Sequence, residues 1–382
     1  MEEEKEKNIL DKLKETPDYR KGNAIKHVLS DILMISLLTI ICNGNTYAAM
    51  HVFGKRHEKT LAMFLELPNG IPSQDTFEDV FAMLSPKSLR DTFRKCKEEI
   101  KEAIQAIGGL KVSIDGKTAR RSKIGNKRAT HIVTALASDL RLVLGEIATE
   151  EKSNEITAIP KLLEMFCQKG MVITIDAMGT QTDIASAIIS KEADYVLSVK
   201  GNQELLHTDI KLLMEYDVMP EDKIKLEESG QYARSIEKDH GRIETRECFI
   251  TTDLSGLSKP DIWEGLSGFG AIISKREVLG KEPTFNTEYF IFSLENTNAS
   301  ELLNIKRSHW VIENGLHWIL DVVFREDDSR ARLGNASENL NIFRKEALQL
   351  LKSDDSFKGS MTSKRYLASL DLEYALNVLG VK

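Results

Sequence analysis

Along the first hundred residues the apolar positions recur at helical spacing. Leu29, Ile32, Leu33 and Leu37 follow one another at intervals of three, one and four, which gathers them on one side of a helix. Clusters of Pro, Gly and Asn separate such stretches. In one of them, Leu67-Pro68-Asn69-Gly70-Ile71-Pro72, the chain turns into Ser73. That hydroxyl can cap a helix carrying Asp75 in its first turn, with Phe77, Val80, Phe81 and Leu84 as the buried stripe. Residues 1–105 are read as an all-helical N-terminal domain.

The period changes at Gly108-Gly109. Leu110–Asp115, His131–Ala137 and Leu142–Ile147 alternate apolar and polar, with Gly, Asn and Asp in the connections, the mark of antiparallel strands. A helix over Glu155–Gln168, a buried strand over Met171–Asp176, a helix over Thr180–Ser190 and a strand over Ala193–Val199 follow. Strands separated by helices of that length pair in parallel. From Lys200 the order dissolves into turn-rich sequence with strand-like pieces at Tyr232–Ile236, Ile243–Thr251 and Phe269–Val278. These three are expected to form an insertion with its own small sheet, while Tyr289–Leu294 fits either part. Helix returns over Ser300–Val323 and Ala336–Leu351, and a short helical tail ends the chain. The class is α/β, with the core in two parts (106–200 and 289–352), the β-rich insertion at 201–288 and the tail at 353–382.

Composition sets limits on this picture. With 382 residues, 41% hydrophobic and 29% charged, the chain can build two or three domains with ample core. The longest apolar run, Ile32–Cys42, is about half of the ~20 residues a membrane span needs, so a buried helix is expected. MEEEKEKNIL at the start is too acidic for a signal or transit peptide, and a cytoplasmic protein is expected. Cys42, Cys96, Cys167 and Cys248 lie far apart with no CxxC, which speaks against a zinc knuckle or a disulfide framework.

Charge points to a partner. Against 59 acidic residues stand 52 Lys and Arg, a net charge of -7, so nucleic acid must meet a local basic patch. Between Lys111 and Gly145 eight basic residues face two acidic ones, a local charge of +6. Lys117, Arg120, Arg121 and Lys123 lie there, as a phosphate-binding patch or a solvated hairpin tip. Lys200, Asn202 and Gln203 follow a buried strand and bring a cation and two amides to the same sheet edge. Past His240, residues Arg242, Glu244 and Arg246 share a strand face; they grip DNA or pair with one another. The helix capped by Ser73 carries Asp75, Glu78 and Asp79, which argues against its entering a major groove.

Two carboxylates end strand-like runs, Asp115 in SIDGK and Asp176 in ITIDAMG. Taken singly, Asp115 reads equally as a hairpin-turn residue and Asp176 as a helix cap. A meander followed by a βαβ unit can set its first and fourth strands side by side, however, and two carboxylates there repel until a divalent cation relieves them. A third acid is sought in Arg307-Ser-His309-Trp310-Val-Ile-Glu313-Asn314-Gly-Leu-His317-Trp318. Glu313, His317 and Asp321 lie four apart and share a helix face, as a metal-facing stripe, a solvated one or a dimer contact. Asp321 and Glu326 stand as alternative third ligands.

The segments LPNGIPSQDTFEDVFAML, SIDGKTARRS, EKSNEITAIP, VITIDAMGTQ, DYVLSVKGNQ, HGRIETR and RSHWVIENGLHWILDVVFREDDSR resemble, in that order, the ISAs1-type transposases and H-repeat-associated proteins of bacteria, a branch of the IS4-like DDE transposases. The resemblance implies a ribonuclease-H-like core interrupted by a β-rich insertion. It implies that Asp115, Asp176 and Glu313 bind Mg2+ or Mn2+, as two ions, and cut and join double-stranded DNA at inverted-repeat ends. It also implies a homodimer that pairs two ends, with Arg307 and His309 within reach of phosphate. The wider IS4-like group has a tyrosine seven residues before the glutamate, an arginine four before it and a lysine seven after it, where this chain has Lys306, His309 and Leu320. A DNA-binding relic without activity, and a nuclease that does not join strands, are the rival readings.

Overall fold

A computed structural model describes residues 8–22, 25–95, 109–123, 129–149, 154–239 and 241–381. The chain divides into two compact units. One comprises Met1–Ala106, Thr118–Ile132 and His317–Lys382, the other Ile107–Lys117 and Val133–Leu316.

The second unit is built on a mixed sheet. Its strands are β1 (Lys111–Thr118), β2 (His131–Ala137), β3 (Leu142–Ala148), β4 (Val172–Ile175), β5 (Asp194–Val199), β6 (Tyr232–Asp239), β7 (Arg242–Thr251), β8 (Gly268–Val278) and β9 (Thr284–Phe292). They run side by side in the order β3-β2-β1-β4-β5-β9-β8-β7-β6. β1 pairs with β4 and β4 with β5 in parallel, and β5, β9, β8, β7 and β6 are successively antiparallel.

This order corrects the expected separate sheet of the insertion. β9 pairs with β5 on one side and β8 on the other, so β6–β8 continue the core sheet. Alternation along a strand reports which face is buried but not which edge finds a partner, and an unpaired β5 edge would leave backbone donors and acceptors bare. The hairpin reading of Asp115 also falls. β1 continues through Asp115 and Gly116 to Thr118, and Gly116 has no positive φ.

The helix Ala299–Ile312, capped by Asn298, packs on β4, β5, β6 and β7. Its Leu302, Leu303 and Ile305 close a core with Val172, Val196, Cys248, Ile250, Phe290 and Phe292. This packing holds one helix across both the parallel and the antiparallel part of the sheet.

The first unit is helical throughout its described core: Ile9–Lys14, Leu29–Ile41, Tyr47–Leu61, Gln74–Met83 and Pro86–Lys95, then Ala336–Ser353, Met361–Leu370 and Leu372–Val378. Residues 96–105 of the expected helical domain lie outside the described residues. Every residue of Leu29–Ile41 is buried, and Ala336–Ser353 packs on it. Ser36 and Thr39 donate to the carbonyls of Ile32 and Ile35, both at 2.7 Å, so their hydroxyls cost little inside the core. Ser73 caps the acidic helix as expected, its Oγ accepting the Thr76 N–H at 3.2 Å. Phe77, Val80, Phe81 and Leu84 are buried. Among the described residues no helix is long and apolar enough to cross a membrane.

Candidate active site

The β1–β4 register pairs Ser113 with Thr174 and Ile114 with Ile175. Asp115 and Asp176 occupy the next step, one residue further along two adjacent parallel strands. By strand alternation Ser113 lies on the same face as Asp115, and Thr174 on that of Asp176. Asp176 also caps the short 3-10 turn Ala177–Gly179, its Oδ1 accepting the N–H groups of Met178 and Gly179 at 3.1 and 3.4 Å. Burial raises the Asp176 carboxyl above the ordinary aspartate range, and the charges of Glu155 and Asp115 add to that. Negative charge is thus gathered around Asp176 at the end of β4, from Glu155 first and Asp115 second.

A polar network lies beneath the acids. Thr174 Oγ1 is 2.9 Å from His309 Nδ1 and 3.1 Å from Ser113 Oγ, and Ser113 Oγ is 2.7 Å from Ser138 Oγ. Lys306, fully buried, donates to Ser198 Oγ of β5 at 2.5 Å and stands 4.0 Å from Glu288. Burial holds its amine below the usual lysine range, while Glu288 and Asp176 favour the charged form. Ser198 is also tied to the Asp176 loop, because its carbonyl accepts from Thr180 Oγ1 at 2.6 Å.

Lys306, His309 and Glu313 fall at i, i+3 and i+7, on one stripe of their helix. Two of the three are thus fixed to the sheet, on β5 and β4. Glu313 is exposed and opens a π-helical turn, Glu313–His317, which interrupts the α-helix before Trp318–Val322. Among the described residues no three His, Cys, Asp or Glu side chains are gathered closely enough to hold an ion. The structure therefore brings Asp115 and Asp176 together and leaves Glu313 on the helix that packs against the same sheet. The alternative ligand Glu326 is committed within the helical unit: Asn341 Nδ2 donates to it at 2.6 Å and Arg344 lies at 3.9 Å. Asp321 also belongs to that unit.

A family model described as "Transposase DDE domain" matches residues 108–350, and one described as "DDE_Tnp_1-associated" matches residues 10–96. The chain belongs to the DDE transposase family. It is 35% identical over 386 residues to "H repeat-associated putative transposase YhhI" of Escherichia coli K12, covering 98% of each chain. It is 36% identical over 379 residues to "Putative transposase YncI" of Escherichia coli O157:H7, covering 98% of this chain and 94% of that one. A short K12 relative, "Inactive transposase YbfQ", is 32% identical over 74 residues, 19% of this chain and 88% of that one.

The residues expected to meet DNA in this transposase sort into three settings. Arg120, Arg121 and Lys123 are exposed; Arg120 lies 3.5 Å from Asp327 and Arg121 3.8 Å from Asp328. Lys117 is half-buried and Lys200 exposed. Asn202, which is exposed, and Gln203, half-buried, donate to the carbonyls of Ala177 at 2.6 Å and Thr180 at 2.9 Å, so they brace the turn that follows Asp176. His309 points into the protein, to Thr174. Arg242, Arg246 and Arg307 share two glutamates, Glu237 and Glu244. His240 lies outside the described residues.

Sequence reasoning missed the bracing set Ser113, Thr174, Ser198 and Lys306. The available signal was a hydroxyl inside each of three apolar strands, since a buried polar group must find a partner. The identity of that partner depends on contacts distant in sequence.

Proposed function

We propose that this transposase cuts and joins DNA at the inverted-repeat ends of an insertion element, with Asp115, Asp176 and Glu313 as its catalytic acids on a ribonuclease-H-like core. The observation that carries the reading is the juxtaposition of Asp115 and Asp176 at the ends of parallel neighbours, where burial and the charges of Glu155 and Asp115 raise the Asp176 carboxyl. Such a pair fits a divalent cation. Mg2+ or Mn2+, as two ions, would supply Lewis-acid activation of the attacking and leaving oxygens of a phosphodiester.

The chain's own residues set the rest. Asp115 and Asp176 supply carboxylate oxygens from a rigid sheet, and Asn202, Gln203 and Thr180 hold the turn behind Asp176. Lys306 and His309 register the Glu313 helix against β5 and β4. Glu313 itself opens a π-helical turn, a departure from the α-helix often found at functional sites. A homodimer that pairs two DNA ends belongs to the same proposal.

The test uses purified protein, wild type and Asp115→Asn, with labelled duplex carrying the terminal repeats that flank the gene, in Mg2+ or EDTA. We expect metal-dependent nicking at the repeat boundary, joined products on longer incubation, and a loss of roughly a thousandfold or more in the variant with end binding retained. Asp115→Asn protein that nicks at the wild-type rate would remove Asp115 from the site. A DNA-binding relic, the first rival, would bind ends and cut in neither buffer. Nicking without joined products would indicate the nuclease.

A further inference from the structure

A cavity of about 240 Å³ opens between β6, β7 and the Glu313 helix, lined by Glu237, Arg242, Glu244, Arg246, Arg307 and Trp310, with Asn314 beside them. Glu237 and Glu244 are direct cross-strand partners in the β6–β7 register, a like-charge placement that destabilises a sheet unless something lies between. Arg246 does so. Only 6% exposed, it donates from Nη1 to Glu237 Oε2 at 2.9 Å and from Nη2 to Glu244 Oε2, and its guanidinium stacks 5.3 Å from the Trp310 ring centre.

The two outer arginines differ from that clamp. Arg307 donates to Glu237 Oε1 from a side chain 36% exposed. The Arg242 side chain is 37% exposed, and its Nε lies 2.9 Å from Glu244 Oε1. That Nε is nonetheless buried without a hydrogen-bonded partner, so its N–H is not aimed at the carboxylate. Three guanidinium groups against two carboxylates leave the lining one positive charge in excess, with an indole and an amide at the wall. A single phosphodiester carries the one negative charge that balances this, and guanidinium forks suit its paired oxygens.

We propose that the cavity is a phosphodiester site held closed by Glu237: a DNA phosphate takes Arg307 and Arg242 from the glutamates while Arg246 stays as the fixed clamp. The proposal rests on the DNA-processing reading above, because the site lies on the helix that carries Glu313 and would seat the strand next to the acids. Glu237 is then an internal competitor for the phosphate. It lowers affinity for any duplex that cannot displace it.

The experiment compares full-length wild type, Glu237→Gln and Arg307→Gln by fluorescence anisotropy with a labelled terminal-repeat duplex across a salt series. Glu237→Gln is expected to bind about fivefold tighter, as one removed like charge near a phosphate is worth about 1 kcal/mol. Arg307→Gln is expected to bind about fivefold weaker, with the slope of log K against log salt reduced by about one. The opposite signs separate a competitor from a merely structural pair, whose two halves would weaken binding alike. Circular dichroism confirms that each variant is folded, and both mutated side chains are solvent-accessible. Wild type that binds while Glu237→Gln binds equally or more weakly overturns this inference alone. Failure of wild type to bind any duplex overturns the DNA-processing reading and this inference with it.

Discussion

Arg120 and Arg121 meet acids at 3.5 and 3.8 Å from side chains 79% and 50% exposed, whereas Arg246 is clamped between two glutamates with 6% exposure. In the sequence the first two lie in a stretch with few acids, while Arg246 sits among glutamates; on the proposed DNA-binding reading the two regions differ in what a phosphate would have to do on arrival. At the first it replaces water and loose surface pairs, which cost little to break. At the second it must exchange with a carboxylate already in place. On that reading the exposed arginines would add affinity for any duplex, and those held by glutamates would set a threshold for seating it.

The sharpest way to mark the limit of that contrast is a cation that no phosphate reaches. Lys306 is buried, bonded to Ser198 and near Glu288, so Lys306→Ala should destabilise the fold by about 3 kcal/mol, read from urea unfolding. Lys306→Met, which keeps the apolar stem, should recover part of that stability but not the registration of the Glu313 helix, leaving DNA binding near wild type and nicking reduced. A Lys306→Ala protein as stable as wild type would show that the buried pair carries no weight.

Next in size is the exposed region itself. Arg120→Gln with Arg121→Gln should weaken binding to terminal-repeat and unrelated duplexes alike, by about tenfold at low salt, and flatten the salt dependence by about two. A loss confined to the terminal-repeat duplex would break the comparison, because it would make these arginines readers of sequence and not of charge.

How much of this was legible in the chain follows from the range of each interaction. The alternation of Leu110–Asp115 and the apolar runs before Asp176 and Lys200 located β1, β4 and β5 to within a residue or a few, because facing is a local property. The sequence allowed the adjacency of Asp115 and Asp176, and the β1–β4 pairing supplies it. The fate of Asn202 and Gln203 was not legible. Amides just past a strand suit a phosphate as well as a carbonyl, and only the fold shows that the Ala177 and Thr180 carbonyls stand within reach. Arg242 and Arg246 left two readings open for a similar reason: one face of β7 was visible, but Glu237 across the ladder and Arg307 from a helix far along the chain were not. The π turn at Glu313 has no signature in the spacing of Glu313, His317 and Asp321, which an unbroken α-helix fits equally.

The smallest effect is expected on the other face of the same ribbon, at an ion pair with a half-exposed lysine. Glu247 accepts from Lys223 Nζ at 2.6 Å and from Tyr232 Oη at 2.5 Å. Burial alone would raise its carboxyl, but these two hydrogen bonds together with the charges of Lys223 and Arg234 hold it below the usual glutamate range. A depressed folded value means stability fully present above the unfolded glutamate pKa, about 4.3, and lost as pH falls through the lower folded value. Lys223→Ala should therefore cost about 0.5 kcal/mol at neutral pH, since the lysine is half exposed and such pairs are weak. The difference from wild type should shrink below pH ~4 as Glu247 protonates in both proteins. DNA affinity should change less than in Arg307→Gln at matched salt. Equal losses would mean that any cation on this ribbon serves the phosphate, and that the glutamates around Arg246 set no threshold.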